Sequence, residues 1–96
     1  MEKTCKIIWK GEEEEVILRS LTGSDVDESL RKSMNRDGGF DLIMQKRQQQ
    51  AMSIKKCPED FPKNITFNNF DYLEVVKPIE DCFDELHTLK KKVNKN

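Results

Sequence analysis

The sequence predicts an α+β fold: a small mixed sheet with an N-terminal β-hairpin, one packed helix over about 24–36 and a C-terminal helix over about 78–93. Three observations carry that prediction. Residues 3–10, KTCKIIWK, alternate with a period of two, as a half-buried strand does. Residues 22–39, TGSDVDESLRKSMNRDGG, hold helix start and stop signals around an apolar stripe. Residues 77–96, KPIEDCFDELHTLKKKVNKN, repeat apolar residues at three- and four-residue steps. With 96 residues the chain is expected to form a single domain, 1–96, around a small core.

In the first strand Cys5, Ile7 and Trp9 share one face, and Lys6, Ile8 and Lys10 share the other. Trp9 is read as core. Gly11 supplies turn chemistry, and EVILRSL at 15–21 is a second run rich in strand formers. A short connection between two such runs makes an antiparallel hairpin. Glu12, Glu13, Glu14 and Glu15 then form its tip and the start of its second strand. Four adjacent like charges repel one another, so a solvated position is expected. They would discourage edge-to-edge pairing and could serve as an acidic contact for a basic partner.

Ser24 with Asp27 fits a capping-box spacing, and Asp25, Asp27 and Glu28 fill the first turn, where carboxylates suit the helix dipole. Val26, Leu30 and Met34 make one apolar stripe. Asp27–Arg31 and Glu28–Lys32 are acid-to-base pairs on the outside. Gly38 and Gly39 stop the helix.

The middle third is read as a strand near 40–46, from the alternation of Phe40, Leu42 and Met44. A polar loop or a turn of helix follows, because QKRQQQAM has high helix propensity but a poor apolar stripe. A short strand near 52–56 and a proline-bounded loop over 57–62 come next. Residues 65–76, ITFNNFDYLEVV, are rich in strand formers. Tyr72, Glu74 and Val76 alternate with Leu73 and Val75, which predicts a strand with apolar residues on both faces, central in the sheet.

In the C-terminal helix Pro78 occupies a first-turn position. Glu80 and Asp81 near its start, and Lys90, Lys91 and Lys92 near its end, match the macrodipole. Ile79, Cys82, Leu86, Leu89 and Val93 form a seam with Phe83 beside it. That seam can pack on the sheet or on a second chain, giving a homodimer.

The hairpin at 3–21, the capped helix opening with SDVDESL and the closing segment DYLEVV together resemble a β-grasp, or ubiquitin-like, domain. The resemblance is to an architecture and implies no function by itself. The chain ends in VNKN where ubiquitin ends in a double glycine, so it is not expected to act as a conjugated modifier.

Seventeen basic and eighteen acidic residues give a net charge of −1, so no global field draws the chain to nucleic acid or to an anionic membrane. No apolar run approaches a membrane span and the start has no signal-peptide core. The cytosol, a host cytosol included, is the expected location. Cys5, Cys57 and Cys82 are too few and too widely spaced for a disulfide framework or a zinc site, and read as buried free thiols. His87, the single histidine, falls one position from the seam and is expected near the surface, with no cysteine facing it. DVDES lacks the glycine of a calcium loop, and no glycine-rich phosphate loop exists. No catalytic residue, metal or cofactor is expected.

The expected function is therefore a non-catalytic protein-interaction module, of a regulatory kind, that binds another protein. Three surfaces could serve: a sheet edge, the acidic hairpin tip (Glu12 to Glu15 with Lys6 and Lys10), or a helix interface of Ile79, Phe83, Leu86 and Leu89. Small proteins heavy in Lys, Asn and Glu include viral and phage modulators of host proteins. The alternative is a nucleic-acid-associated protein using Lys46, Arg47, Lys90, Lys91 and Lys92. Those patches lack the interleaved aromatics that base stacking needs.

Overall fold

The computed structural model describes residues 1–88. Strands β1 (Glu2–Trp9) and β2 (Glu12–Arg19) form the predicted hairpin, in register from Glu2 opposite Arg19 to Trp9 opposite Glu12. The turn is Lys10-Gly11, with φ of 53° and 82°. Two consecutive left-handed residues make a type I′ turn, whose twist matches that of the strands. Alternation puts Ile7, Trp9, Val16 and Leu18 on the buried face.

The sheet is antiparallel throughout, which corrects the expected mixed sheet. Strand β3 (Ile54–Lys56) pairs with β2, with a register shift at Ile17/Leu18, and the order is β1-β2-β3. The short strand expected near 52–56 is thus present, and β1 is left as the long edge.

Helix α1 spans Gly23–Lys32. Its cap is Thr22 rather than Ser24. The Thr22 hydroxyl accepts from the Asp25 amide at 3.2 Å, and the Asp25 carboxylate accepts from the Thr22 amide at 2.9 Å. Arg19, at the end of β2, fixes Asp25 from outside at 2.8 Å, which selects this earlier cap. The helix ends at Ser33, short of the expected 36. Gly38, at φ 91°, instead shapes a loop closed by a bridge between Met34 and Phe40.

Residues 40–46 are not a strand. Asp41 accepts from the amides of Ile43 and Met44 at 2.9 and 3.0 Å and caps helix α2, Leu42–Ser53. Intrinsic propensity decides here, against the weak alternation. Helix α1 packs on α2 and not across the sheet. The contact is made of small and polar residues. Ser29, Ser33, Gln50 and Ser53 are buried, and Gln49 Nε2 donates to Ser29 Oγ at 3.3 Å.

Residues 65–76 are not a strand either. Ile65–Asn69 is a 3-10 turn capped by Asn64, and Tyr72–Val76 is a π-helical turn capped by Asp71, whose carboxylate accepts from the Glu74 amide at 2.8 Å. Val75 and Val76 are both buried while Tyr72 and Leu73 are exposed, a helical and not an alternating distribution. The closing strand of a β-grasp is therefore absent from this position.

The π turn runs into helix α3, Lys77–His87, with Pro78 in its first turn as expected. Leu89, Val93 and Lys90 to Lys92 lie outside the described residues. Helix α3 packs on β1 and β2. Ile79, Cys82 and Phe83 join Ile7, Val16 and Leu18 in the core. Each such side chain contributes about 1.5–3 kcal/mol on burial. Trp9 stands edge-on to Phe61 and Phe70, with ring centroids 4.8 Å from each.

Candidate interaction surfaces

Because Trp9 and Glu12 flank a two-residue turn, they form a hydrogen-bonded pair, and so do alternate pairs back along the ladder. The backbone groups of Thr4, Lys6 and Ile8 therefore point away from β2. No backbone hydrogen bond from another described segment reaches that edge. Its open-face side chains, Thr4, Lys6 and Ile8, are all exposed.

The four glutamates all belong to β2, which bounds the acidic site more tightly than the tip expected from sequence. Glu13 and Glu15 lie on the open face of the sheet. Glu14, opposite Ile7, is half-buried on the other. Lys6 pairs with Glu13 at 3.7 Å. Lys10 is held by Asp60, whose other carboxylate oxygen accepts from Trp9 Nε1 at 2.8 Å. Both tip lysines are thus engaged within the chain. Glu12, Glu14 and Glu15 have no ion-pair partner among the described residues.

In the seam of α3, Ile79 and Phe83 are buried in the chain's own core, and half-buried Leu86 packs against it. Leu89 is outside the described residues.

Lys46 and Arg47 converge on one carboxylate: Glu80 accepts from Arg47 at 3.2 Å and pairs with Lys46 at 3.4 Å. The Arg47 side chain is only 17% exposed and also donates to Gln50 at 2.8 Å. These cations tie α2 to α3.

His87 is half-buried and ties α3 to the end of the hairpin. Its Nε2 accepts from the Leu21 amide at 3.0 Å, and its Nδ1 lies 2.9 Å from the Phe83 carbonyl. A carbonyl only accepts, so Nδ1 carries the proton. Cys5 and Cys82 lie against one another between β1 and α3. Burial foremost, then the neighbouring Cys82, pushes the Cys5 thiol up to about 12. Burial likewise raises Cys57 and Cys82. Sulfur nucleophiles need the thiolate, which these sites disfavour.

One surface escaped sequence reasoning. Val26, Leu30 and Met34, the apolar stripe of the helix, are all exposed. The signal was the serine row beside them: Ser29 and Ser33, four apart, are the residues that α1 buries.

The chain matches no family model, and no curated protein or solved structure is similar to it. Among the described residues no helix is long and apolar enough to cross a membrane.

Proposed function

We propose that this chain is a non-catalytic interaction module that receives an extended segment of another protein along the edge of β1. The observation that carries this reading is the outward-facing backbone of Thr4, Lys6 and Ile8, an unpaired ladder on an eight-residue strand. Such an edge binds by strand addition: main-chain hydrogen bonds supply affinity and alternate side chains supply selectivity. Ile8 offers the apolar foothold, and the surplus carboxylates of β2 favour a basic partner and speed its approach. The raised thiols and the doubly engaged His87 support a role without catalysis.

The nucleic-acid reading draws on Lys46 and Arg47, which share the carboxylate of Glu80. The commitment of these groups favours the protein partner. A role in the cytosol, as a regulator of a host protein included, fits the net charge and composition. The β-grasp likeness keeps the hairpin and the helix after it. The third strand is antiparallel and the helix on the sheet is α3, so the kinship is loose.

The test is Lys6→Pro. The Lys6 amide points outward, so proline there blocks strand addition without removing a β1–β2 bond. Affinity capture from native lysate, with mass spectrometry, is expected to recover a partner with the parent chain and to lose it with Lys6→Pro, while circular dichroism is unchanged. A partner held equally by a folded Lys6→Pro would refute edge pairing.

A further inference from the structure

Helix α1 and the turn that ends it face Ser29 and Ser33 inward, and Val26, Leu30 and Met34 outward. Val26, Leu30 and Met34 are 40%, 37% and 52% exposed. Met34 is bridged to Phe40, itself 47% exposed, so the strip continues from the helix onto the loop. Clustered exposed apolar side chains are a feature of interaction sites. Charge is segregated along the same helix. The acidic Asp27 and Glu28 precede the basic Arg31 and Lys32, which close its last turn. Glu28 and Lys32 pair with each other at 3.1 Å. Asp27 and Arg31 form no ion pair among the described residues. At about 100° per residue, Asp27 and Arg31 fall together on the flank of the stripe that faces away from Ser29 and Ser33.

We propose that this face takes a second copy of the chain, α1 against α1, antiparallel about a two-fold axis at Leu30. Leu30 then meets Leu30, and Val26 meets Met34. Asp27 of each copy comes within reach of Arg31 of the other, twice by symmetry. A parallel two-fold pair would carry the Asp27/Arg31 flanks of the two copies to opposite sides of the seam, so neither charge would find its complement. The helix dipoles oppose each other in the antiparallel form, which also favours it. The match of stripe and charge is self-complementary, which makes a second copy the occupant. Four apolar side chains are few against the ~800 Å² per partner of a standard interface, so the dimer is weak and concentration-dependent. Helix α1 does not pack on β1, so dimerisation leaves the strand edge free and stands independently of the function proposed above.

Sedimentation equilibrium of the full chain over a wide concentration range tests this. The mass is expected to rise from one chain, 11.3 kDa, toward two. Leu30→Glu is expected to hold the one-chain mass throughout. Asp27→Arg and Arg31→Asp should each weaken association about tenfold, and the two together should restore it to within about twofold, the signature of a charge pair across a two-fold axis. All three positions are exposed, and circular dichroism checks that each variant folds. A parent chain at one-chain mass at every concentration overturns the proposal. So does a dimer that Leu30→Glu leaves intact, or a foreign protein that only Leu30→Glu loses while the parent chain stays monomeric. Capture through the strand edge is read separately on monomeric Leu30→Glu, so the two proposals fail by different results.

Discussion

Two helix contacts hold this small chain together, and they are made of different material. Helix α3 meets β1 and β2 through Ile79, Phe83, Ile7, Val16 and Leu18, a dry apolar contact. Helix α1 meets α2 through Ser29, Ser33, Gln49 and Gln50, a close contact of small and polar groups. The first is stabilised by removing apolar surface from water. The second has a single cross-helix hydrogen bond among the described residues, Gln49 to Ser29, and it leaves the large side chains of α1 outside. The stability of the chain should therefore be concentrated in the first contact, while the second is free to present a surface.

The largest expected effect tests that asymmetry directly. Ile79 is fully buried. Ile79→Ala should cost about 2–5 kcal/mol by urea denaturation, the sum of a lost transfer term and a cavity. Leu30→Ala, of similar chemistry but 37% exposed, should cost under about 1 kcal/mol. Equal costs would break the comparison. A step smaller, Ser33→Leu forces bulk between α1 and α2, where Ser33 is buried, and should cost about 1–3 kcal/mol. Ser33→Ala should stay near ~0.5 kcal/mol, since its hydroxyl bonds only the Leu30 carbonyl within its own helix.

The two regions should also differ in how pH weakens them. Cys5 lies in the first contact. Its thiol sits at about 12 in the folded chain against an ordinary 9.0, so the folded state holds the proton more tightly. Stability is then level below about pH 9 and falls as pH rises toward 12. Cys5→Ala should flatten that limb. Asp25 belongs to the cap of α1. Arg19 foremost, then the Thr22 amide, holds its carboxyl at about 2 against 3.8. Its contribution is complete above about pH 4 and is lost as pH falls toward 2. Asp25→Asn should remove this dependence from thermal melts in acid.

The same contrast explains what was legible in the sequence. The hairpin and α3 could be read because apolar residues at period two or 3.6 are the residues they bury. Helix α2 could not be read from periodicity, because its inner face is Gln50, Ala51 and Ser53, which carry no apolar signal. Its cap, Asp41, and the propensity of QKRQQQAM were the usable signs. Tyr72–Val76 was mistaken because β-branched and aromatic residues favour a strand. Asp71 ahead and Pro78 behind marked a helix start in the same segment. The stripe of α1 misled for a different reason: amphipathic pattern shows which face is apolar, and not whether the chain covers it. Of the expected surfaces, the acidic run and strand edge are on the outside, while Ile79 and Phe83 of the α3 seam are buried in the core.

The smallest expected effect on stability belongs to the acidic strand, and its smallness is the informative part. Glu13 and Lys6 form a pair 3.7 Å apart with both side chains well exposed, a geometry that contributes between zero and about 1 kcal/mol. Glu12 and Glu15 are also exposed and form no ion pair among the described residues. Replacing Glu12 to Glu15 together by glutamine removes one weak attraction and several repulsions at once. The net change in urea stability should lie within about 0.5 kcal/mol of zero. Partner association through the β1 edge should respond quite differently. If the carboxylates steer a basic segment, the variant associates more slowly, and its rate loses the salt dependence that the parent chain shows. Stability held constant while the association rate falls would place the acidic run in recognition. A rate unchanged at low salt would leave it as a solvated strand whose charges only keep neighbouring edges apart.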